Sequence, residues 1–355
     1  MSTTTPDAPA TGRRVTPTAR LVLRADADRD QWLAARQRGI GSSDIPQMLG
    51  LSAYGTPRNL YHSKRGELPP ERPEDVGDPA HFGTIHEEPN AREWARRNRT
   101  ALQRVGLVAH VDHPWMMCTL DRRVLECPHA TGQREMCALE CKSRNAHVAP
   151  KWRTGVPDDV LAQVLWQIAV TGYSHIHTWC VLGGNDPRAY TIHRADHEGT
   201  IADITAAARA FWHEHVLAGV PPKRDYEQPG AELRLIGLLD EMESCRGEGP
   251  NSVVHLDRDP QVLNLIDEYE AARLEADAAE RRKEVAKLKL IEKLDGAELA
   301  VIDGHMAYEW ATVTRTQLKT RALRDAHPAL FAEFAEEKTH RTLRIAKSLR
   351  HEKDA

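Results

Sequence analysis

Apolar and polar positions alternate along this chain in distinct regimes. Residues 1–20 are rich in Thr, Pro and Ala and show no periodic apolar positions, which predicts a disordered leader. Residues 21–224 mix short β-like apolar runs with helical stretches, the pattern of one α/β domain. Pro221, Pro222, Pro229 and several glycines then mark a linker over 225–256, in which 231–243 has the pattern of a short helix. Residues 257–355 differ in character. Between 267 and 293, 15 of 27 residues are charged, 8 acidic and 7 basic, while apolar positions are sparse (Leu263, Ile266, Tyr269, Leu274, Val285, Leu288, Ile291). Mixed charge on a weak 3–4 spacing predicts a long solvated helical arm. Asp303-Gly304 is a tight-turn signal and predicts a β-hairpin over 299–314, followed by a last helix from about Leu330.

The composition narrows the class. With 355 residues, 41% hydrophobic and 28% charged, the chain has the make-up of a soluble globular protein of about two domains. No apolar run is long enough to span a membrane, and the N-terminus lacks the apolar segment of a secretory leader. A net charge of −4 implies no global attraction to nucleic acid, so any DNA contact must come from a local patch. No phosphate-binding lysine loop of the Walker type is present.

The most informative stretch is MMCTLDRRVLECPHATGQREMCALECKSR, residues 116–144. Two apolar-rich runs flank a turn-prone segment, which predicts a hairpin. A turn centred near Ala130 and Thr131 sets Asp121 opposite Glu140, to within a residue or two of register, with Cβ atoms roughly 5 Å apart. Lys142, two residues on, shares the face of Glu140. Opposed carboxylates repel unless a cation or proton lies between them. Asp, Glu and Lys converging on one point is what metal-assisted phosphodiester hydrolysis requires. Hard oxygen ligands suit Mg²⁺ or Mn²⁺, the ion activates a water, and the lysine steadies developing negative charge. The carbonyl of Cys141 is a further candidate ligand. A solvated strand face with a surface ion pair would give the same local pattern, so the neighbouring motifs carry the weight.

Taken in order, those motifs resemble the YqaJ-type viral recombinase family, relatives of lambda exonuclease within the PD-(D/E)xK nuclease superfamily. GIGSSD within residues 36–70 is similar to the family's glycine-serine-acidic signature, and FGTIHEEPNAREW (82–94) to its G-x-x-x-E helix start. CTLDRRV resembles the strand of the metal-binding aspartate and LECKS the E-x-K strand. Residues 162–186 resemble the glutamine helix and the strand after it. Leu120 stands where the superfamily name has proline. The resemblance implies an α/β (α+β) nuclease core, a mixed central sheet flanked by helices, with the helical arm and hairpin appended. It implies Asp121 and Glu140 as metal ligands and Lys142 as the catalytic lysine. Glu87, with Glu88 as a competing assignment, would support the metal shell, and Gln163 would lie beside the scissile phosphate. Arg36, with Arg38 as a substitute, and Ser43 would grip the DNA end and its 5′-phosphate. A simple helix N-cap at Ser42 or Ser43, with Asp44 in the first turn, explains that segment as well. Glu87 and Glu88 precede Pro89 near an expected helix start, and Gln163 is favoured over Gln167 as the residue facing the site.

The resemblance further implies a Mg²⁺- or Mn²⁺-dependent exonuclease acting 5′-to-3′ on linear duplex DNA. It would supply single strands to an annealing protein as a homo-oligomer, in the cytoplasm of a host carrying phage or prophage. An endonuclease or repair nuclease with the same site, and a non-catalytic DNA-end-binding scaffold, are the alternatives. Cys118, Cys127, Cys137 and Cys141, with His129, have spacings that match no standard metal-ligand pattern and are read as reduced, buried thiols. His175 and His177 are expected at the surface, and the basic run Arg341, Arg344, Lys347, Arg350 as a solvated face.

Overall fold

In the computed structural model, the described residues are 12–52, 55–68, 78–127, 136–223, 226, 231–246, 253–256, 259–336 and 343–349. They divide into two units at residues 251/252. In the first unit, β1 (Ala19–Leu21) leads to α1 (Arg29–Arg36), capped by Asp28, whose side chain accepts from the backbone N–H of Gln31. Helix α2 (Asp44–Met48) follows. Then comes α3 (Pro57–Lys64), opened by Thr56 and Asn59 in a reciprocal capping box with proline at the first position. Helix α4 runs Asp78–Asn98. The strands β2 (Leu102–Gln103), β3 (Leu107–His110), β4 (Met117–Thr119), β5 (Arg122–Val124) and β6 (Cys137–Arg144) come next. Helix α5 (Asp158–Thr171) then precedes β7 (His175–Leu182), β8 (Asp186–His193), α6 (Glu198–Ala210), a π-helical turn and α7 (Ala231–Arg246).

Two sheets result: a three-stranded one in the order β1-β3-β4 and a five-stranded one in the order β2-β5-β6-β7-β8. The larger sheet is antiparallel except between β6 and β7, which run parallel across the α5 crossover. Its interior strand β7, HIHTWCVL, is β-branched and aromatic and buried nearly throughout, as a strand covered on both faces must be. On one face Ala138, Ile176 and Cys180 join the main core with Val164, Leu165 and Ile168 of α5. On the other, Leu139, Cys141 and Trp179 pack with Ala91 and Trp94 of α4. The fold class is thus the expected one, a mixed α/β core with a helical arm and hairpin beyond it.

Three expectations are corrected. Residues 12–20 of the supposed leader are packed: Ala19 is fully buried, β1 pairs with β3, and Thr18 bonds Thr171 and Val170 at the end of α5. Residues 1–11 lie outside the described residues. The first arm of the 116–144 hairpin is not one strand. Residues 117–119 pair with β3, whereas 122–124 pair with β6, so the chain changes sheets at Leu120 and Asp121. The turn at Ala130 and Thr131 is outside the described residues. Finally, Glu87 and Glu88 lie in mid-helix, because α4 runs through Pro89. The carbonyl that Pro89 leaves unbonded is that of Ile85, whose residue is half exposed, so water can serve it.

In the second unit, α8 (Pro260–Leu294) is a single 35-residue helix capped by Asp259. Strands β9 (Leu299–Ile302) and β10 (His305–Glu309) form an antiparallel hairpin. Asp303 and Gly304 both take positive φ, the requirement of a two-residue turn matched to strand twist. In place of one last helix, the chain forms two short ones, α9 (Thr320–Ala326) and α10 (Pro328–Phe334), since Pro328 can start a helix but not continue one.

Candidate active site

The β5–β6 register pairs Arg122 with Leu139, Arg123 with Ala138 and Val124 with Cys137. Extended by one residue, it sets Asp121 opposite Glu140 where the chain passes between sheets. Strand alternation then turns Glu140 and Lys142 toward α5, and Cys141 toward α4. Glu140 is 2% exposed and its carboxylate is held from three sides. Gln163 Nε2 donates to Oε1 at 2.7 Å and Gln167 Nε2 to Oε2 at 2.7 Å, while Lys142 Nζ reaches Oε1 at 2.5 Å. Lys142 also donates to Gln163 Oε1 at 3.0 Å, which fixes the amide so that its nitrogen faces the carboxylate. Asp121 Oδ2 accepts the backbone N–H of Cys141 at 2.7 Å.

The electrostatics follow from this crowding. Burial, then the charge of Glu140, pushes the Asp121 carboxyl well above the usual carboxylate range; Glu87 adds to the push and Lys142 opposes it. Burial alone would lower Lys142, but Glu140 and Asp121 outweigh it and the ammonium is held above its ordinary value. Burial, then Asp121 and Glu140, raises the Cys141 thiol well above its usual range, which keeps it neutral.

The sequence-derived residues therefore fall into three groups. Asp121, Glu140, Lys142 and Gln163 converge. Glu87 and Glu88 on α4 both bind Arg122, on the other face of β5, and of the two it is Glu87 whose charge bears on Asp121. Arg36 and Ser43 meet each other, Arg36 Nη2 donating to Ser43 Oγ at 2.8 Å, in a second polar cluster. Arg38 is exposed.

That second cluster centres on Asp44, for which the sequence suggests only a place in the first turn of a capped helix. Asp44 is buried and accepts from Arg36 at 2.7 Å and from the Gly41 backbone at 2.7 Å, with Lys64 Nζ at 2.5 Å. Ser43 occupies the cap position of α2 without a side-chain cap bond. Burial would raise Asp44, but Lys64 and Arg36 hold it below the ordinary value. Burial lowers Lys64 despite Asp44 beside it.

Three further residues lie where the sequence does not place them. The sequence favours Gln163 over Gln167, yet both reach Glu140; their i, i+4 spacing on α5 is the signal for the pair. The sequence places His175 and His177 at the surface, yet they are 3% and 2% exposed, because β7 is an interior strand covered on both faces. With Cys127 and Cys137 they form a four-residue buried cluster on the α4 face of the sheet. Cys118 and Cys141 are not part of it, and His129 lies outside the described residues. Among the described residues, no helix is long and apolar enough to cross a membrane.

Comparison with known proteins agrees with the ordered motifs. The uncharacterized protein YqaJ of Bacillus subtilis (strain 168) is 26% identical over 324 residues, 90% of this chain and 94% of that protein. Among solved structures, the alkaline exonuclease LHK-Exo from Laribacter hongkongensis matches 54% of this chain and 94% of its own, at 19% identity and a TM-score of 0.40. The model of the YqaJ-like viral recombinase domain matches residues 31–174, which take in Arg36, Ser43, Glu87, Asp121, Glu140, Lys142 and Gln163. Residues 31–174 of this chain are thus similar to the YqaJ-like viral recombinase domain.

Proposed function

We propose that this chain is a divalent-metal-dependent DNA exonuclease that degrades one strand of linear duplex DNA from a 5′ end and leaves single strand for an annealing partner. The observation that carries the reading is the convergence of Glu140, Lys142, Gln163 and Gln167 beside Asp121. The donor set fits a hard cation. Two carboxylates from adjoining positions meet in a buried place, and Asp121 is driven toward protonation unless positive charge arrives. Asp121 and Glu140 would hold Mg²⁺ or Mn²⁺, with the Cys141 carbonyl as a further oxygen and Glu87 in support. When bound, that ion would supply an activated water and neutralise charge on the phosphate.

The chain's own groups do the rest. Gln163 and Gln167 orient the Glu140 carboxylate. Lys142 offers an ammonium to the developing negative charge. Arg36 and Ser43, steadied by Asp44, present a cation and a hydroxyl to a terminal phosphate. Leu263, Leu265, Tyr269, Leu288 and Leu290 are exposed on α8, and Val301, Ile302 and Met306 on the hairpin. So much apolar surface suits an interface, and the arm is assigned to homo-oligomerisation.

The test is digestion of linear duplex DNA carrying a 5′-phosphate and a label on either end, with Mg²⁺, Mn²⁺ or EDTA. Expected are metal-dependent loss of the 5′ label, intact circular DNA, and no activity in Glu140→Gln. Cleavage of circular DNA would turn the reading to an endonuclease. No cleavage with either metal would leave a DNA-end-binding scaffold as the better account.

A further inference from the structure

The cluster of Cys127, Cys137, His175 and His177 takes no part in the chemistry proposed above, and it has the make-up of a metal site. Its four ligand atoms all lie within 4.8 Å of one another, and all four residues are buried. Cys127 Sγ lies 3.0 Å from His175 Nε2 and 3.4 Å from His177 Nε2. Tetrahedral zinc has Zn–S near 2.3 Å and Zn–N of about 2.0–2.1 Å, which spaces its ligand atoms about 3.3–3.8 Å apart. Adjustments of no more than about 1 Å in any ligand pair bring the cluster to that geometry.

Three elements of the sheet deliver the donors. Cys127 lies three residues past the end of β5, and Cys137 opens β6. The parallel register that pairs Ala138 with Ile176 sets Cys137 beside His175. His177 follows two residues along β7 and therefore points to the same face. The imidazoles are already oriented. Nδ1 of His175 is 2.9 Å from Ser174 Oγ, and Nδ1 of His177 is 3.0 Å from Thr191 Oγ1. A hydroxyl at Nδ1 turns Nε2 inward and can accept the Nδ1–H, the tautomer in which Nε2 is the basic nitrogen. Around the four donors the packing is apolar, with Val124, Leu139, Trp94 and Trp179 in the same cluster or against it.

We propose that Cys127, Cys137, His175 and His177 bind one structural zinc ion. Two thiolates with two imidazoles select zinc over the hard cations suited to the carboxylate site. Four protein donors fill a tetrahedral shell and leave no position for substrate, so the role is structural. The ion ties the chain leaving β5 and the chain entering β6 to β7. It thereby holds the register in which Asp121 faces Glu140, from the opposite face of the sheet. The assignment rests on these four residues and is independent of the nuclease reading.

The test is metal analysis of the full chain, expressed without a histidine tag in zinc-supplemented medium and purified under reducing conditions. One zinc per chain is expected in the wild type and in Glu140→Gln, and loss of that zinc in Cys137→Ser and His177→Gln. Should those variants fail to fold, cobalt replacement in the wild type gives a second readout: a thiolate-to-cobalt charge-transfer band with tetrahedral d–d absorption is expected. A wild-type chain with neither bound zinc nor a cobalt–thiolate band would overturn the proposal. So would a Cys127–Cys137 disulfide found by mass spectrometry, or folded variants that keep their zinc.

Discussion

Glu140 receives hydrogen bonds from Gln163, Gln167 and Lys142, and two of these three donors belong to α5 rather than to its own strand. A carboxylate so held has one orientation, which is what a metal ligand needs. Gln167→Ala should lower the rate of metal-dependent cleavage about 10–100-fold, the usual effect of losing a group that orients a metal ligand. Single-turnover digestion at saturating DNA checks this, and an unchanged rate would mean that Gln167 only fills the core. Asp44 makes a different residue-scale case. Its folded-state carboxyl is held below the ordinary value by Lys64 and Arg36 against the opposing effect of burial. A depressed pKa contributes stability that is complete above the unfolded-state value and is lost as pH falls through the folded one. Stability in urea should therefore decline as pH drops below the ordinary aspartate value of about 3.9. Asp44→Asn should cost about 3–5 kcal/mol at neutral pH, by leaving Lys64 buried without its charge partner, and should flatten the acid decline.

Helix α5 is the element on which the site depends, because it carries both glutamines and packs against the core through Val164, Leu165, Trp166 and Ile168. Asp158 and Asp159 favour its first turn, and Trp166 Nε1 donates to the Met117 carbonyl at 2.9 Å, which ties the helix to β4. Gly172 ends it with φ of 75°, and a Cβ added there would lie 2.6 Å from Thr18 Oγ1. Gly172→Ala should therefore destabilise the domain by at least the roughly 1–2 kcal/mol of a left-handed non-glycine residue. Thermal unfolding measures it, and an unaltered midpoint would show that the 12–20 segment yields freely. That segment also shows why composition misled: its Thr- and Pro-rich run has no periodicity, yet Thr18 and Ala19 are engaged by α5 and β3, contacts far away in sequence.

At the scale of the molecule, the two units carry different burdens. The main core draws its buried residues from the first unit, while the second exposes large apolar side chains along α8 and the hairpin. If the arm is the assembly surface, a chain ending at residue 251 should keep a cooperative unfolding transition and sediment as a monomer. The full chain should sediment as a multiple. Equal subunit number in both would remove the arm from assembly.

The sequence by itself determined the local features: the hairpin turn at Asp303-Gly304, the long charged helix, and the ordered motifs that brought Asp121, Glu140, Lys142 and Gln163 forward. These are set by neighbours a few residues apart, through turn chemistry, helical periodicity and strand alternation. Only the tertiary structure decided what depends on which strand lies beside which. The interior place of β7, covered on both faces, buried His175 and His177, and its parallel register with β6 brought them to Cys127 and Cys137 across a gap of dozens of residues. The switch of sheets at Leu120 and Asp121, the turn of Gln167 toward Glu140, and the burial of Asp44 against Lys64 have the same origin. Each is a contact between elements: spacing within one helix puts Gln163 and Gln167 on a shared face, but which strand that face meets is set by the fold.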